Sequence, residues 1–221
     1  MNRILVIAPH MDDETLGCAG TLLRHKSEGD QIHIVLASKL KINKQWSKRY
    51  VKKKCDEYDK VLDIFKFKSC TKFNYEPSKI DQLNLSDIVE DFNNLFLRIK
   101  PNYIYCPFIN DTHSDHQIIA KSAMSASKWF RQQSINKIFM YETLSETNFN
   151  FVEENVFKPN YFVDISKSME RKLKISSIYK TEMNKHPFPR SKTSIKALAQ
   201  LRGSQSGFKF AEAFQLIFSK K

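Results

Sequence analysis

Ile4-Leu5-Val6-Ile7-Ala8-Pro9-His10-Met11-Asp12-Asp13-Glu14 decides how this chain is read. The first half is apolar and rich in branched residues, which predicts a short buried strand over Arg3–Ile7. The second half sets one imidazole and three carboxylates at the end of that strand. There, the spacing of Leu16, Ala19, Leu22 and Leu23 predicts a helix over Glu14–Ser27. His10 and Asp13 are three residues apart, so a turn feeding a helix can aim both at one point. A neutral imidazole and a carboxylate suit Zn²⁺, and a hydrolytic zinc site takes three protein ligands and keeps one position for water. Asp12 lies between them, placed to handle that water's proton. The stretch implies a metal hydrolase that is one ligand short.

Asp111-Thr112-His113-Ser114-Asp115-His116 supplies it, behind a second apolar stretch, Tyr103–Ile109. His116 completes a His/Asp/His set with His10 and Asp13. His113 is left as a second catalytic imidazole, and Asp115 can accept a ring N–H and fix a histidine tautomer. Each cluster has an ordinary explanation when taken singly. Acidic residues in a first turn cap helices and suit the dipole, and two neighbouring histidines on a loop are common. Their joint occurrence, each behind a strand, favours the metal.

Further strands are predicted over Gln31–Ala37, Ser69–Phe73, Tyr103–Pro107, Lys137–Glu142 and Tyr161–Asp164. Further helices are predicted over Gln45–Phe65, Ile80–Ile99, Asp115–Lys128, Ser166–Met183 and Ser191–Arg202. Strands alternating with helices predict an α/β fold, a mostly parallel, Rossmann-like sheet with helices on both faces in three layers. Ligands of such sheets gather at the carboxyl ends of the strands, where both clusters fall.

A length of 221 residues suits one domain, 1–221, and would cramp two. No apolar run approaches the roughly 18 residues of a membrane span, and the amino terminus lacks the layout of a signal peptide. Cys18, Cys55, Cys70 and Cys106 form no C-x-x-C pair, so a disulfide framework is not indicated and a reducing cytoplasm fits. The net charge of +12, from 36 Lys+Arg against 24 Asp+Glu, favours an anionic partner. Lysines spread along the whole chain also suit a plain solvated surface. Lys39–Lys54 holds eight Lys/Arg and no acid, with Trp46 and Tyr50 interleaved. It reads as a solvated helix face, as a nucleic-acid patch, or as a segment from which Arg49 or a nearby lysine reaches an anionic group of a substrate.

The two clusters resemble the PIG-L/LmbE-like zinc-dependent N-deacetylases, whose signature is an apolar strand, A-H-P-D-D-E, and H-P-D-H about a hundred residues on. The tail is similar to the bacterial branch: His186-Pro187-Phe188-Pro189-Arg190-Ser191, Ala197-Leu198-Ala199, Leu201-Arg202-Gly203 and Ala211-Glu212-Ala213-Phe214. Met11 and Ser114 stand where that family favours proline, and Lys52, Lys53 and Lys54 where it often carries acids. The resemblance implies removal of an acetyl group from an N-acetylated amino sugar, a small substrate that could carry phosphate or carboxylate, with no nucleic acid expected. It also implies that His186 and Arg190 lie near the substrate. His10, Asp13 and His116 would hold Zn²⁺, or Fe²⁺, which the same set accepts. Asp12 would be the general base. A protonated His113, oriented by Asp115, would stabilise the oxyanion. Two other readings stay open: a basic binding protein for nucleic acid or an anionic surface with a structural metal, and a metal-dependent phosphoesterase.

Overall fold

The computed structural model describes residues 1–44 and 46–221. Five strands run parallel: β1 (Arg3–Ala8), β2 (Gln31–Ser38), β3 (Ser69–Tyr75), β4 (Tyr103–Pro107) and β5 (Lys137–Tyr141). Two more complete the sheet, β6 (Tyr161–Asp164) and β7 (Ala211–Ser219), with β7 antiparallel to both β5 and β6. The strand order is β3-β2-β1-β4-β5-β7-β6. The expected α/β sheet is therefore present, and the direction of winding reverses between β1 and β4. That reversal opens a crevice at their carboxyl ends.

Alternation along β1 sorts the core into two layers. Ile4, Val6 and Ala8 pack with α1 (Asp13–Ser27), α2 (Lys48–Phe65), α5 (Met169–Ser176) and α6 (Lys192–Ser204). Leu5 and Ile7 face the other way, into α3 (Leu85–Ile99) and α4 (Ser114–Ala126). Among the described residues, no helix is long and apolar enough to cross a membrane.

Four expectations need correction. The helix expected over Ile80–Ile99 is a 3₁₀ turn at Ile80–Gln82 followed by α3, which begins only at Leu85. Helix α2 begins at Lys48, where Ser47 Oγ accepts the Tyr50 N–H; Gln45, its expected start, lies outside the described residues. The helix expected over Ser166–Met183 is only α5, and turns follow it as far as Glu182. The chain then crosses to α2, where Glu57 accepts the N–H and hydroxyl of Thr181. Strand β7 was not anticipated at all, since Glu212 interrupts its apolar run.

Glu212 also explains an irregularity in α1. Cys18 is non-helical (φ −143°, ψ 15°), so the helix breaks and the N–H groups of Gly20 and Thr21 lose their helical partners. The Glu212 carboxylate accepts both, at 2.8 and 2.7 Å. Lys172 neutralises it at 2.6 Å and donates to the Leu16 carbonyl at 2.8 Å. One buried ion pair satisfies both sides of the break. Replacing Glu212 with Ala strands a buried ammonium, so Glu212→Ala should lose about 3–5 kcal/mol in chemical denaturation. Glu212→Gln, which keeps an acceptor, should lose less.

Candidate metal centre and cleft

Beyond β1 the chain turns sharply, and the His10 N–H donates to Asp13 Oδ2 at 2.8 Å. This bond brings the two side chains together as their spacing predicted. Asp12 occupies the N-cap position of α1 but makes no side-chain cap bond, which removes the plain capping explanation. Its carboxylate points into a cleft of about 190 Å³ that His10, Asp13, His113 and His116 also line.

Two hydrogen bonds set the tautomers. His10 Nε2 is 2.9 Å from Asp115 Oδ2 and donates to it, and His116 Nδ1 donates to Asp111 Oδ2 at 2.8 Å. The lone pairs of His10 Nδ1 and His116 Nε2 therefore face one another at 3.3 Å. Asp13 Oδ2 lies 3.4 Å from the first and 3.2 Å from the second. Three acceptors this close repel unless a cation lies among them. Tetrahedral zinc with bonds of about 2.0–2.1 Å sets its ligand atoms about 3.3 Å apart. The donor set thus fits such an ion in both chemistry and span. Burial acts against charge on both rings, but Asp115 and Asp13 raise the pKa of His10, and Asp13 and Asp111 raise that of His116 well above normal. Burial would raise Asp13, yet His116 and His10 hold it well below the usual carboxylate range.

Two further groups bring candidate ligand atoms together: His10, His113 and Asp115 in the same cleft, where His10 Nε2 and Asp115 are bonded to each other, and His25, Glu28 and Asp30. Both His25 nitrogens are already hydrogen-bonded there, to Asp30 and Tyr105. The His25 ring therefore offers no free lone pair.

The expectation for His113 needs correction. The Asp115 carboxylate serves His10 and the loop N–H groups of Ser78 and Ile80, at 2.7 and 3.3 Å. His113 Nδ1 instead accepts the Asp115 backbone N–H at 3.1 Å. Burial, then His10 and His116, push its pKa down to about 4. The ring is neutral at physiological pH, with its proton on Nε2.

Asp12 is 4% exposed, and Oδ2 has no hydrogen-bond partner. Burial, aided by Asp13 and Glu182 and opposed by Lys54 and Arg190, raises its pKa to about 7. Glu14 is fully buried beneath it, accepting from Thr15 and Tyr179 at 2.6 and 2.7 Å. Burial lifts its pKa to about 7 as well.

Lys54 and Arg190 supply the cations of the cleft, and both meet Glu182; Arg190 Nη2 does so at 3.2 Å. Arg190 Nη1 also lies 3.9 Å from Asp12. Tyr50 donates to Glu182 at 3.2 Å, and Trp46 lines the same wall. Arg49 is exposed and outside this lining. A helix turns it about 100° from Tyr50, whereas Lys54 follows Tyr50 by four residues and shares its face. His186 is also exposed and outside the lining. Sequence reasoning missed Glu182 and Thr147, neither of which carries a local signal, and singled out Tyr50 and Trp46 only as aromatics among cations, not as cleft residues. Asp111 stood inside the second cluster, five residues before His116, and was left without a role.

Residues 5–127 match the family model described as PIG-L: GlcNAc-PI de-N-acetylase. The diacetylchitobiose deacetylase of Thermococcus kodakarensis is 19% identical over 225 residues, covering 98% of this chain and 84% of that protein. Among solved structures, the N,N'-diacetylchitobiose deacetylase of Pyrococcus horikoshii superposes with a TM-score of 0.78 at 19% identity, over 98% of this chain and 84% of that one. The 4-carboxy-2-hydroxymuconate hydratase of Pseudomonas putida gives 0.77 at 16% identity, over 100% and 98%. A zinc-inhibited teicoplanin deacetylase gives 0.73 at 13% identity, over 99% of each chain. At such identities the structural likeness establishes the shared fold.

A pH dependence of stability follows. Asp12 and Glu14 have raised pKa values in the folded state, so they favour it when protonated. Their contribution fades as pH rises from their unfolded values near 4 towards 7. The raised values of His10 and His116 act in the same direction. Asp13, being lowered, opposes this only below about pH 4. The lowered His113, His25 and His33 oppose it up to their unfolded value near 6.5, but are outweighed by the two carboxylates and two raised imidazoles. Without metal, the melting temperature should fall between about pH 5 and 8. Glu14→Gln should flatten that slope.

Proposed function

The chain belongs to the PIG-L family, and from that premise we propose that it is a metal-dependent hydrolase that removes the acetyl group from an N-acetylated amino sugar by amide hydrolysis. The observation that carries this reading is the triangle of His10 Nδ1, Asp13 Oδ2 and His116 Nε2, with sides of 3.2–3.4 Å. We assign the metal to these three residues. Zn²⁺ suits two imidazole nitrogens and a carboxylate oxygen, and Fe²⁺ is served by the same set. Bound there, the ion would supply an activated water and polarise the amide carbonyl.

The remaining steps belong to the protein. Asp12 takes the proton of the attacking water; a pKa raised to about 7 makes it both a competent base and, once protonated, an acid. It can then return that proton to the departing amine. His113 donates from Nε2, as a neutral ring, to the oxyanion that develops on the carbonyl oxygen. Asp115 and Asp111 hold the two metal-binding imidazoles in their tautomers. Arg190 steadies Asp12 and borders the bound sugar.

The fold is shared by a hydratase as well as by deacetylases, so fold alone does not select the reaction. Selection rests on the residue set, in which one buried base, Asp12, adjoins the His10, Asp13 and His116 triangle. A phosphoesterase with two metals would need a second independent ligand set, whereas the other group in the cleft, His10, His113 and Asp115, shares His10 with the first and has His10 Nε2 bonded to Asp115. We read residues 1–221 as one catalytic domain, because both core layers share one sheet. Four free cysteines suit a reducing compartment, the cytoplasm.

Two variants test the division of roles. Asp12→Asn and His113→Ala should each lower acetate release by roughly 10²–10⁴-fold. Elemental analysis should find metal close to the wild-type content in both; loss of metal from either would refute the assignment of these residues as catalysts. A third variant reaches further out. Thr147 donates to Asp111 Oδ1 at 2.6 Å, behind the Asp111–His116 bond. Thr147→Val should weaken metal binding by roughly 10–100-fold in a competitive chelator titration, and Thr147→Ser should restore it.

A further inference from the structure

The end of the sheet opposite the cleft carries a feature that the proposed reaction does not use. Strands β4 and β5 start there, and antiparallel β7 ends there, with Lys137 paired to Ser219. Side chains tie the segments of this edge together. Lys220 Nζ donates to the Gln133 carbonyl at 2.7 Å, Asn102 Nδ2 to the Ser134 carbonyl at 3.3 Å and Arg3 Nε to the Lys100 carbonyl at 2.7 Å. The loop from α4 to β5 is anchored from within. Gln132 and Ile135 are buried, and the N–H groups of Arg131 and Gln132 close on the Lys128 carbonyl at 2.9 and 3.0 Å. Those anchors leave Trp129 and Phe130 protruding, 63% and 55% exposed. Their rings meet edge to face, with centroids 6.0 Å apart. Two adjoining large aromatics, held out of a core that takes up the nearby isoleucine, form a contact surface.

The charge around them has one sign. Lys128 and Arg131 flank the pair, Lys100 and Lys221 lie on the same edge, and all four are exposed. No acidic residue occurs in 92–110 or 117–141, the stretches that contain β4 and β5. The acids of this edge, Glu28 and Asp30 between α1 and β2, are held by Arg24 and His25, each at 2.8 Å. Among the described residues, no carboxylate pairs with any of the four cations. A second copy of the chain, meeting this corner through a two-fold contact, would set these cations against themselves. Single-stranded nucleic acid needs rings whose faces receive successive bases. Here the two rings are nearly perpendicular, at 89°, and the Arg131 guanidinium lies 5.7 Å over the Phe130 ring. An anionic bilayer asks only for aromatic side chains that reach its interface and cations level with its headgroups. The corner supplies both.

We propose that the Trp129–Phe130 corner docks the protein on an anionic phospholipid surface, its rings entering the interface and Lys128 and Arg131 meeting the headgroups. Strands β1 and β4 run from this edge towards His10 and His116. A docked molecule therefore turns its cleft away from the lipid and draws its substrate from solution. The docking depends on neither the metal nor the reaction, so it stands or falls apart from the hydrolase reading.

The test is sedimentation of the full chain with vesicles of phosphatidylglycerol or of phosphatidylcholine, at low and high salt. Binding should be confined to phosphatidylglycerol and weaken about tenfold or more at high salt. Trp129→Ser combined with Phe130→Ser should weaken it roughly tenfold or more. Lys128→Glu combined with Arg131→Glu should weaken it roughly 10–100-fold, since each cation at such a surface is worth about fivefold. Both double variants should melt close to the wild-type temperature, because all four positions are exposed. A Trp46→Phe background leaves Trp129 as the sole tryptophan, and its emission should shift to the blue on phosphatidylglycerol. Absence of binding to phosphatidylglycerol would overturn the proposal, as would binding that survives both double substitutions or an unshifted Trp129 emission. RNA bound in place of vesicles would overturn it too. So would self-association that the aromatic substitutions abolish, without any binding to lipid.

Discussion

One carboxylate holds the cleft together. Asp115, which is fully buried, accepts the ring N–H of His10 from the loop after β1 and the backbone N–H groups of Ser78 and Ile80 from the loop after β3. It is itself part of α4, which starts just beyond β4. Three segments remote in sequence are therefore fastened at a single side chain. The sheet makes this possible, because parallel pairing of Ile4 with Tyr103 and Val6 with Tyr105 delivers the two loops side by side. Burial favours protonation of Asp115, but these partners keep its pKa below the usual carboxylate value. It thus remains an anion that can hold the His10 tautomer.

The histidine arrangement makes sense only with a positive charge at its centre. His10 and His116 each donate one ring proton to a buried carboxylate, which turns their other nitrogens into opposed lone pairs. In a protein interior such opposition is relieved by protonating a ring or by binding a cation. The depressed pKa of His113 is part of the same arrangement. Burial disfavours a charge on this ring and the two neighbouring imidazoles add to that, so the site keeps His113 neutral and useful as a hydrogen-bond donor.

Much of this was legible in the sequence because it is local. The strand before His10 shows in its branched residues, and the i, i+3 spacing of His10 and Asp13 reports a shared aim at any turn. The parallel sheet follows from alternating strand and helix patterns, and that places both clusters at the carboxyl ends. What escaped depends on tertiary partners. Strand β7 carries a glutamate whose burial makes sense only beside Lys172 and the break in α1. Glu182 lies beyond the end of α5, in a segment whose apolar spacing reads as continuing helix. Asp115 was expected to orient a histidine and does so, but the ring is His10, more than a hundred residues away. Arg49 and Lys54 are equally basic in composition, and only the helical phase separates the exposed one from the buried one.

Asp12, Asp13 and Glu14 show how far environment differentiates residues that look alike in sequence. Three consecutive buried carboxylates would be intolerable as three bare anions. Asp13 stays ionised because two imidazoles face it. Asp12 has an oxygen without a partner and cations only at a distance, and it is poised near neutrality. Glu14 is wrapped by the hydroxyls of Thr15 and Tyr179 and lies farther from the cleft, with burial favouring its acid form. One anion to grip, one group to exchange protons and one neutral acid to pack: the chemistry proposed for the site needs the first two to differ. The depth at which β1 releases the chain makes them differ. Moving this tripeptide outward by one turn would expose all three to water and return them to ordinary surface acids.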